Sequence, residues 1–392
     1  MNNFTFYSPT EFVFGKETDN NVGSLCRRYG AKRVLVVYGG QSAKKSGLLD
    51  RVFASLEAEG LTFAELGGIQ PNPTDGKVYE GIELVRKENA DFVLAVGGGS
   101  VIDTAKAICA GVPYDGDFWD FFIGKATIRA ALPVAVVLTI PAAGSEGSGN
   151  AVITREATLQ KLGIKAKMLL RPKFAVMNPE LTFTLPAWQT ASGIADMMAH
   201  ILERYLSNNA DIFIGERLCE GALLAIMDAA PRVMANPCDY GARANIMWSG
   251  MVAHNDTCSC GMDEDWSCHA IEHELSALYN VTHGAGLAVM FPAFLTYMAK
   301  HHPAKVCRLA VRVFGVSPEG KNDEQIALEG VARMKAFFKD VLRLPVTLGE
   351  LGIENPDIAT LVRKLHENKG NPFGFYYSLT PEITEEIYRL AM

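Results

Sequence analysis

Between His269 and Leu287 the sequence reads HAIEHELSALYNVTHGAGL, which places three histidines and two glutamates in nineteen residues. His269-Ala-Ile-Glu-His273 fits H-x-x-E-H, the inverted zinc-peptidase spacing in which both imidazoles bind metal and the glutamate is a base. His283 adds a third imidazole. On a continuous helix it would lie about 21 Å beyond His269, too far to share an ion. Asn280-Val-Thr-His-Gly284 breaks that helix, because Asn and Gly are helix-ending residues. The chain can then fold back and return His283 toward the first turn. A second grouping, Asp196-Met-Met-Ala-His200, sets a carboxylate and an imidazole one turn apart on one helix face. Ile194, Met197, Met198, Ile201 and Leu202 make its surroundings apolar, and a buried Asp and His there need partners that a shared ion would supply. An isolated D-x-x-x-H is equally the mark of a surface or core pair, so a peptidase and a different metal site both stay open on these residues.

The other chemistry-bearing stretches are rich in glycine. In Ala95-Val-Gly-Gly-Gly-Ser-Val-Ile-Asp-Thr-Ala-Lys106 a buried strand runs into Gly97, Gly98 and Gly99, where backbone can approach a ligand closely. Ser100 stands where an N-cap belongs, with Asp103 at capping-box spacing, and the free N–H groups of such a helix start hold phosphate. No G-K-[ST] follows, and no G-x-G-x-x-G with an acidic residue about twenty positions on. Ile140-Pro-Ala-Ala-Gly-Ser-Glu-Gly-Ser148 is a second anion-friendly loop, and Tyr38-Gly-Gly-Gln-Ser-Ala-Lys-Lys45 a third. The last has no acidic residue for a free ribose 2′-hydroxyl; Gly39, Gly40, Ser42, Lys44 and Lys45 favour a 2′-phosphate, hence NADP over NAD.

These residues need two kinds of scaffold. Up to about residue 184, short apolar runs ending in glycine alternate with helical patterns: Val34–Tyr38, Leu61–Leu66, Phe92–Val96 and Val134–Thr139 read as strands. Leu48–Leu56, Lys77–Arg86 and Val101–Cys109 read as helices. That rhythm predicts a parallel sheet covered by helices, with ligands at the carboxyl ends of the strands. From 185 to 392, long amphipathic stretches dominate: Trp188–Leu206, Ile212–Ala230, Arg243–His254, Cys268–Tyr279 and Ile326–Val341. The expected fold is thus an α/β N-terminal dinucleotide-binding domain (1–184) and an all-α C-terminal metal-binding domain (185–392). A net charge of −7 without a basic cluster gives no reason to expect nucleic acid or an anionic membrane as partner. The N-terminus lacks signal-peptide character, so a cytoplasmic location is expected. Eight scattered cysteines are expected to be reduced thiols, and Cys258-Ser-Cys260 to line a wall rather than clip a metal.

Taken together, Gly97–Ser100 with Asp103 and Lys106, the Pro141–Glu146 loop, Asp196-x-x-x-His200, and Asp265-Trp266 followed by His269, His273 and His283 resemble the iron-dependent (group III) alcohol dehydrogenases. The similarity is strongest to their butanol dehydrogenase-like, NADPH-dependent aldehyde reductase branch, and runs from Phe4 to the end. The resemblance implies a dehydroquinate synthase-like architecture, with Asp196, His200, His269 and His283 as ligands of Fe²⁺ or Zn²⁺. It also implies that His273 lies near the nicotinamide as a candidate proton relay, and that Thr139, Asn150 and Lys161 lie around the cofactor. A small aldehyde or alcohol substrate and a homodimer follow by the same route. One carboxylate and three imidazoles suit Fe²⁺ or Zn²⁺ rather than Cu(I) or Ca²⁺. The expected reaction is hydride transfer between NAD(P)H and a short-chain aldehyde or primary alcohol, the ion acting as Lewis acid on the substrate oxygen. The alternatives are a polyol oxidoreductase of the glycerol dehydrogenase group and the H-x-x-E-H peptidase. Where the family often has Thr and Gly, this chain has Ala143 and Gln41, and Asn255–Gly261 replaces a more apolar stretch.

Overall fold

The computed structural model describes residues 1–392. Two compact units emerge: Tyr7–Leu185, and Pro186–Met392 together with Met1–Phe6. The opening residues join the helical unit through bonds such as Asn2 N–H to the Gly261 carbonyl (2.9 Å).

The first unit contains strands β1 (Glu11–Phe14), β2 (Arg33–Tyr38), β3 (Thr62–Leu66), β4 (Phe92–Gly97), β5 (Val134–Leu138), β6 (Asn150–Arg155), β7 (Gln160–Lys165) and β8 (Phe174–Met177). Its helices are α1 (Val22–Arg28), α2 (Ser42–Lys45), α3 (Leu48–Ala58), α4 (Asp75–Glu88), α5 (Gly99–Gly111), α6 (Trp119–Phe122) and α7 (Lys167–Leu170). Six strands form one parallel sheet in the order β1-β8-β5-β4-β2-β3, and β6-β7 is a separate antiparallel hairpin. Every residue of β4 and β5 is buried, as expected for parallel strands covered on both faces. The sheet order reverses between β2 and β4, where Val37 pairs with Ala95 and Tyr38 with Val96. The Gly39–Gly40 and Gly97–Gly99 turns therefore leave the sheet side by side at its switch point, the place where such sheets bind ligands.

The four strands read from the sequence are present with small shifts at their ends. β1, β8 and the β6-β7 hairpin are additional. β1 and β8 are four residues each, too short to show a period, and the hairpin follows a loop rich in glycine and serine.

The helical unit contains α8 (Ala187–Tyr205), α9 (Phe213–Ala235), α10 (Tyr240–His254), α11 (Ser267–Tyr279), α12 (His283–His301), α13 (Ala304–Arg312), α14 (Asp323–Ala336), α15 (Ile358–Lys369) and α16 (Pro381–Leu390). A π-helical turn, Phe337–Val341, follows α14. α12 is the central helix, packed against α8, α11, α14 and α16 and buried along nearly its whole length. It was not read from the sequence because a helix that is apolar all round lacks an amphipathic period. No helix is long and apolar enough to cross a membrane.

Candidate metal centre and nucleotide-binding loops

α11 ends at Asn280, which adopts the left-handed conformation (φ 51°), and α12 begins three residues later at His283 itself. The fold-back is held tight by Gly284. A Cβ there would stand 1.9 Å from the Ser192 carbonyl oxygen of α8, so only glycine lets the two helix backbones approach this closely. His283 is thereby delivered to α8, where Asp196 and His200 lie one turn apart, and to His269 in the first turn of α11.

Three imidazole nitrogens surround one carboxylate oxygen. His200 Nδ1, His283 Nε2 and His269 Nε2 lie 3.6, 3.7 and 3.9 Å from Asp196 Oδ1. These separations are too long for hydrogen bonds. They match donors spread around an ion at about 2.1 Å, whose tetrahedral edges are about 3.4 Å. Asp196 Oδ1, His200 Nδ1 and His269 Nε2 are buried without any hydrogen-bond partner. Orphaned buried donors and acceptors that converge are costly unless an ion completes them, so these residues fit a divalent metal. The Asp196, His200 and His269 side chains are 6% exposed and that of His283 25%, so the group opens on the His283 side.

The charges around this group differ from helix to helix. Burial, then neighbouring His254 and His269, hold His200 well below the usual histidine range, leaving it neutral as a ligand must be. Burial also pulls His269 down, but the nearby Asp196 carboxylate and the bonded Glu203 carboxylate outweigh this and raise it to about 9 in the metal-free chain. Behind His200, Arg204 donates to the His200 carbonyl (2.7 Å), reaches His254 Nδ1 (3.3 Å) and lies 4.8 Å above the Trp266 ring. His254 in turn packs on His200, with ring centroids 4.4 Å apart.

Glu272 and His273 also gather with His283. That trio is not a second ion cage, because the Glu272 carboxylate already accepts from His283 Nδ1 and from Ser276 Oγ. Glu272 is fully buried, which removes the peptidase base that H-x-x-E-H implied. The His273 ring lies 5.4 Å from that of His283 and 6.3 Å from that of His269. Neither donor group includes a cysteine; Cys219 Sγ donates to the Cys258 carbonyl and Cys260 Sγ to that of Asp256.

In the α/β unit the glycine-rich turn differs from its expected form. α5 starts at Gly99 with Gly98 at the N-cap, no side chain caps it, and Ser100 lies within the first turn. The expected capping box is absent because the helix begins before Ser100, and the Asp103 carboxylate accepts instead from Ser145 Oγ (2.7 Å) and Val152 N–H (2.9 Å). Gly98 and Gly99 press on the next loop: a Cβ on Gly98 would lie 2.7 Å from Ile140 Cβ, and one on Gly99 3.1 Å from Ala143 Cβ. Beneath them Lys106, fully buried, donates to the carbonyls of Ser145 (2.6 Å), Ser148 (2.8 Å) and Asn150 (3.0 Å). Burial lowers its pKa to about 8, against the pull of Asp103 and Glu146. In the sequence Lys106 is only a motif member; its tie to the 145–150 loop arises in the fold.

Thr139 follows β5, its N–H bonded to the Gly97 carbonyl (3.1 Å). Lys161 donates to Asn72 Oδ1 (3.1 Å). Ser42 and Lys44 lie on α2, with Lys44 Nζ 5.1 Å from the Tyr38 ring. The sequence showed no acidic residue in this loop, but the fold brings one to it: Tyr38 OH donates to Glu65 of β3 (2.9 Å).

A parallel sheet with a glycine-lined switch point is where such folds bind nucleotides, and the Asp-His-His-His group of the helical unit fits a divalent ion. Residues 9–179 match the family model for iron-containing alcohol dehydrogenase, and residues 190–392 that for the C-terminal part of the Fe-containing alcohol dehydrogenase family. The chain belongs to the iron-containing alcohol dehydrogenases. It is 39% identical to the probable NADH-dependent butanol dehydrogenase 1 of Bacillus subtilis, over all of both chains. It is 36% identical to an NADPH-dependent aldehyde reductase of Escherichia coli, again over 100% of each. The crystal structure of an NADH-dependent butanol dehydrogenase A from Thermotoga maritima superposes with a TM-score of 0.95 at 42% identity, covering 100% of this chain and 99% of that one.

Proposed function

We propose that the protein interconverts short-chain aldehydes and primary alcohols with NAD(P)H as hydride donor, using a divalent cation, Fe²⁺ or Zn²⁺, held by Asp196, His200, His269 and His283. The observation that carries this reading is the convergence of two orphaned, buried imidazole nitrogens and His283 Nε2 on Asp196 Oδ1, itself buried and orphaned. Bound there, the ion would polarise a carbonyl oxygen as a Lewis acid, and a reduced nicotinamide would supply the hydride.

The chain's own residues do the rest. His200 is buried among Arg204, His254 and Trp266, which limits access of water to the donor group on that side. His273, one turn from His269, is the group proposed to hand a proton to the product oxygen. The uncapped α5 N-terminus and the Gly39–Lys45 loop are proposed to hold the pyrophosphate and the adenosine ribose, with Thr139, Asn150 and Lys161 around the cofactor.

Within this reading NADPH is the favoured donor, because Lys44 and Lys45 supply positive charge near Ser42. Glu65 opposes an added phosphate, so the expected preference over NADH is modest, and Glu65→Gln should increase it. The kcat/KM ratio for NADPH and NADH with butyraldehyde tests both statements. A strong NADH preference unchanged by Glu65→Gln would refute the assignment of this loop.

A further inference from the structure

The helices around the donor group brace one another in sequence. On α8, Asp196, His200 and Glu203 share one face at i, i+4 and i+7. Glu203 reaches across to α11, where one of its oxygens accepts both the backbone N–H of His269 (2.7 Å) and its Nδ1 (2.8 Å). On α11, Glu272 lies one turn beyond His269 and reaches across to α12, where it accepts from His283 Nδ1. α8 thus braces the ligand on α11 through Glu203, and α11 braces the ligand on α12 through Glu272.

Both carboxylates are fully buried, an expensive placement for a charge that does no more than fill space. The second oxygen of Glu203 has no hydrogen-bond partner. The fold also makes room for Glu272: a Cβ on Gly286, one turn into α12, would stand 2.5 Å from its Oε1. His200, by contrast, has no carboxylate behind it and is held through Arg204 at its carbonyl.

We propose that Glu203 and Glu272 are positioning residues of the metal centre. By accepting from Nδ1 they fix the tautomer of His269 and His283, turn both Nε2 lone pairs toward Asp196 Oδ1, and make these two imidazoles the stronger donors. Gly286 is part of the same device, since its missing side chain seats Glu272. This inference rests on the metal reading above.

The test uses the full-length protein, stripped of metal and titrated with cobalt(II) in competition with a chelator; the visible spectrum reports the geometry. Glu203→Gln and Glu272→Gln each keep the side-chain shape and lose the charge. Each is expected to weaken cobalt binding about 10- to 100-fold, the usual effect of removing a carboxylate that orients a metal-bound histidine. Gly286→Ala, which leaves Glu272 in place but displaces it, is expected to shift the cobalt spectrum in the same sense as Glu272→Gln. Wild-type affinity and spectrum in all three variants would overturn the inference while leaving the metal reading intact. So would a lowered melting temperature of the unloaded variants with an unchanged cobalt dissociation constant, because that is the mark of a packing role. Failure of the wild type to bind cobalt would overturn the metal reading itself.

Discussion

Gly284→Ala isolates the contact on which the donor group depends. The added Cβ would lie 1.9 Å from the Ser192 carbonyl oxygen and 2.6 Å from its carbon. Ordinary contact begins at 3.4 Å, so α12 must withdraw from α8 by about 1.5 Å, and both obstacles are backbone that cannot rotate aside. Overpacking of this kind costs about 1–3 kcal/mol. For a unit of this size that lowers the melting temperature by roughly 2–4 °C per kcal/mol, or about 2–12 °C. The same withdrawal carries His283, the residue before Gly284, away from Asp196. A 3.7 Å separation that suits a shared ion then lengthens beyond what one ion spans. Metal affinity should fall at least about 10-fold, on the scale of losing one well-oriented donor. The assays are thermal unfolding of the unloaded protein and zinc binding by chelator competition. Wild-type melting and wild-type zinc affinity together would refute the claim that glycine is needed where α12 meets α8.

Lys106→Met leaves Asp103 and Glu146 buried without their cation and strips donors from the 145–150 loop. Unfolding by denaturant should show a loss of about 3–5 kcal/mol, and a loss below about 1 kcal/mol would contradict the proposed tie. Burial pushes Glu146 up to about 7 from an ordinary value of 4.5, so the native protein keeps a proton that the unfolded chain releases. Its contribution to stability is complete below about pH 4.5 and is lost as pH rises through about 7, amounting to at most about 3 kcal/mol. Glu146→Gln should flatten that part of the stability–pH curve, measured between pH 5 and 8. His273→Ala should keep its metal and lose about 100-fold in kcat, as removal of a proton-transfer group does; full turnover across pH would rule out the relay.

Much of the candidate donor group was legible because its spacings are local. Asp196 and His200 share one helix turn, and Asn280 with Gly284 marks where α11 must end. The cross-helix braces were harder to see. Glu203 stands at i+7 from Asp196 and i+3 from His200, a same-face pattern present in the sequence, but its target lies 66 residues away on α11. Glu272 was visible in H-x-x-E-H, but its bond to His283 arises only because the chain folds back after Asn280. In the α/β unit the glycine turns and four strands were plain. The Ser100 cap is not realised, because α5 begins at Gly99, and Asp103 instead bonds Ser145 and Val152, partners more than forty positions away. Glu65 escaped notice for the same reason: only β2–β3 pairing brings it beside Tyr38 and the Gly39–Lys45 loop.

The most direct test of the central claim is the rate of NADPH oxidation with butyraldehyde, in protein purified without oxygen, before chelation, after it, and after return of Fe²⁺ or Zn²⁺. The account predicts about one divalent ion per chain, turnover that disappears with the ion, and recovery when either metal is restored. Turnover that persists in protein shown to be free of metal, or none with any short aldehyde in the loaded protein, would contradict it.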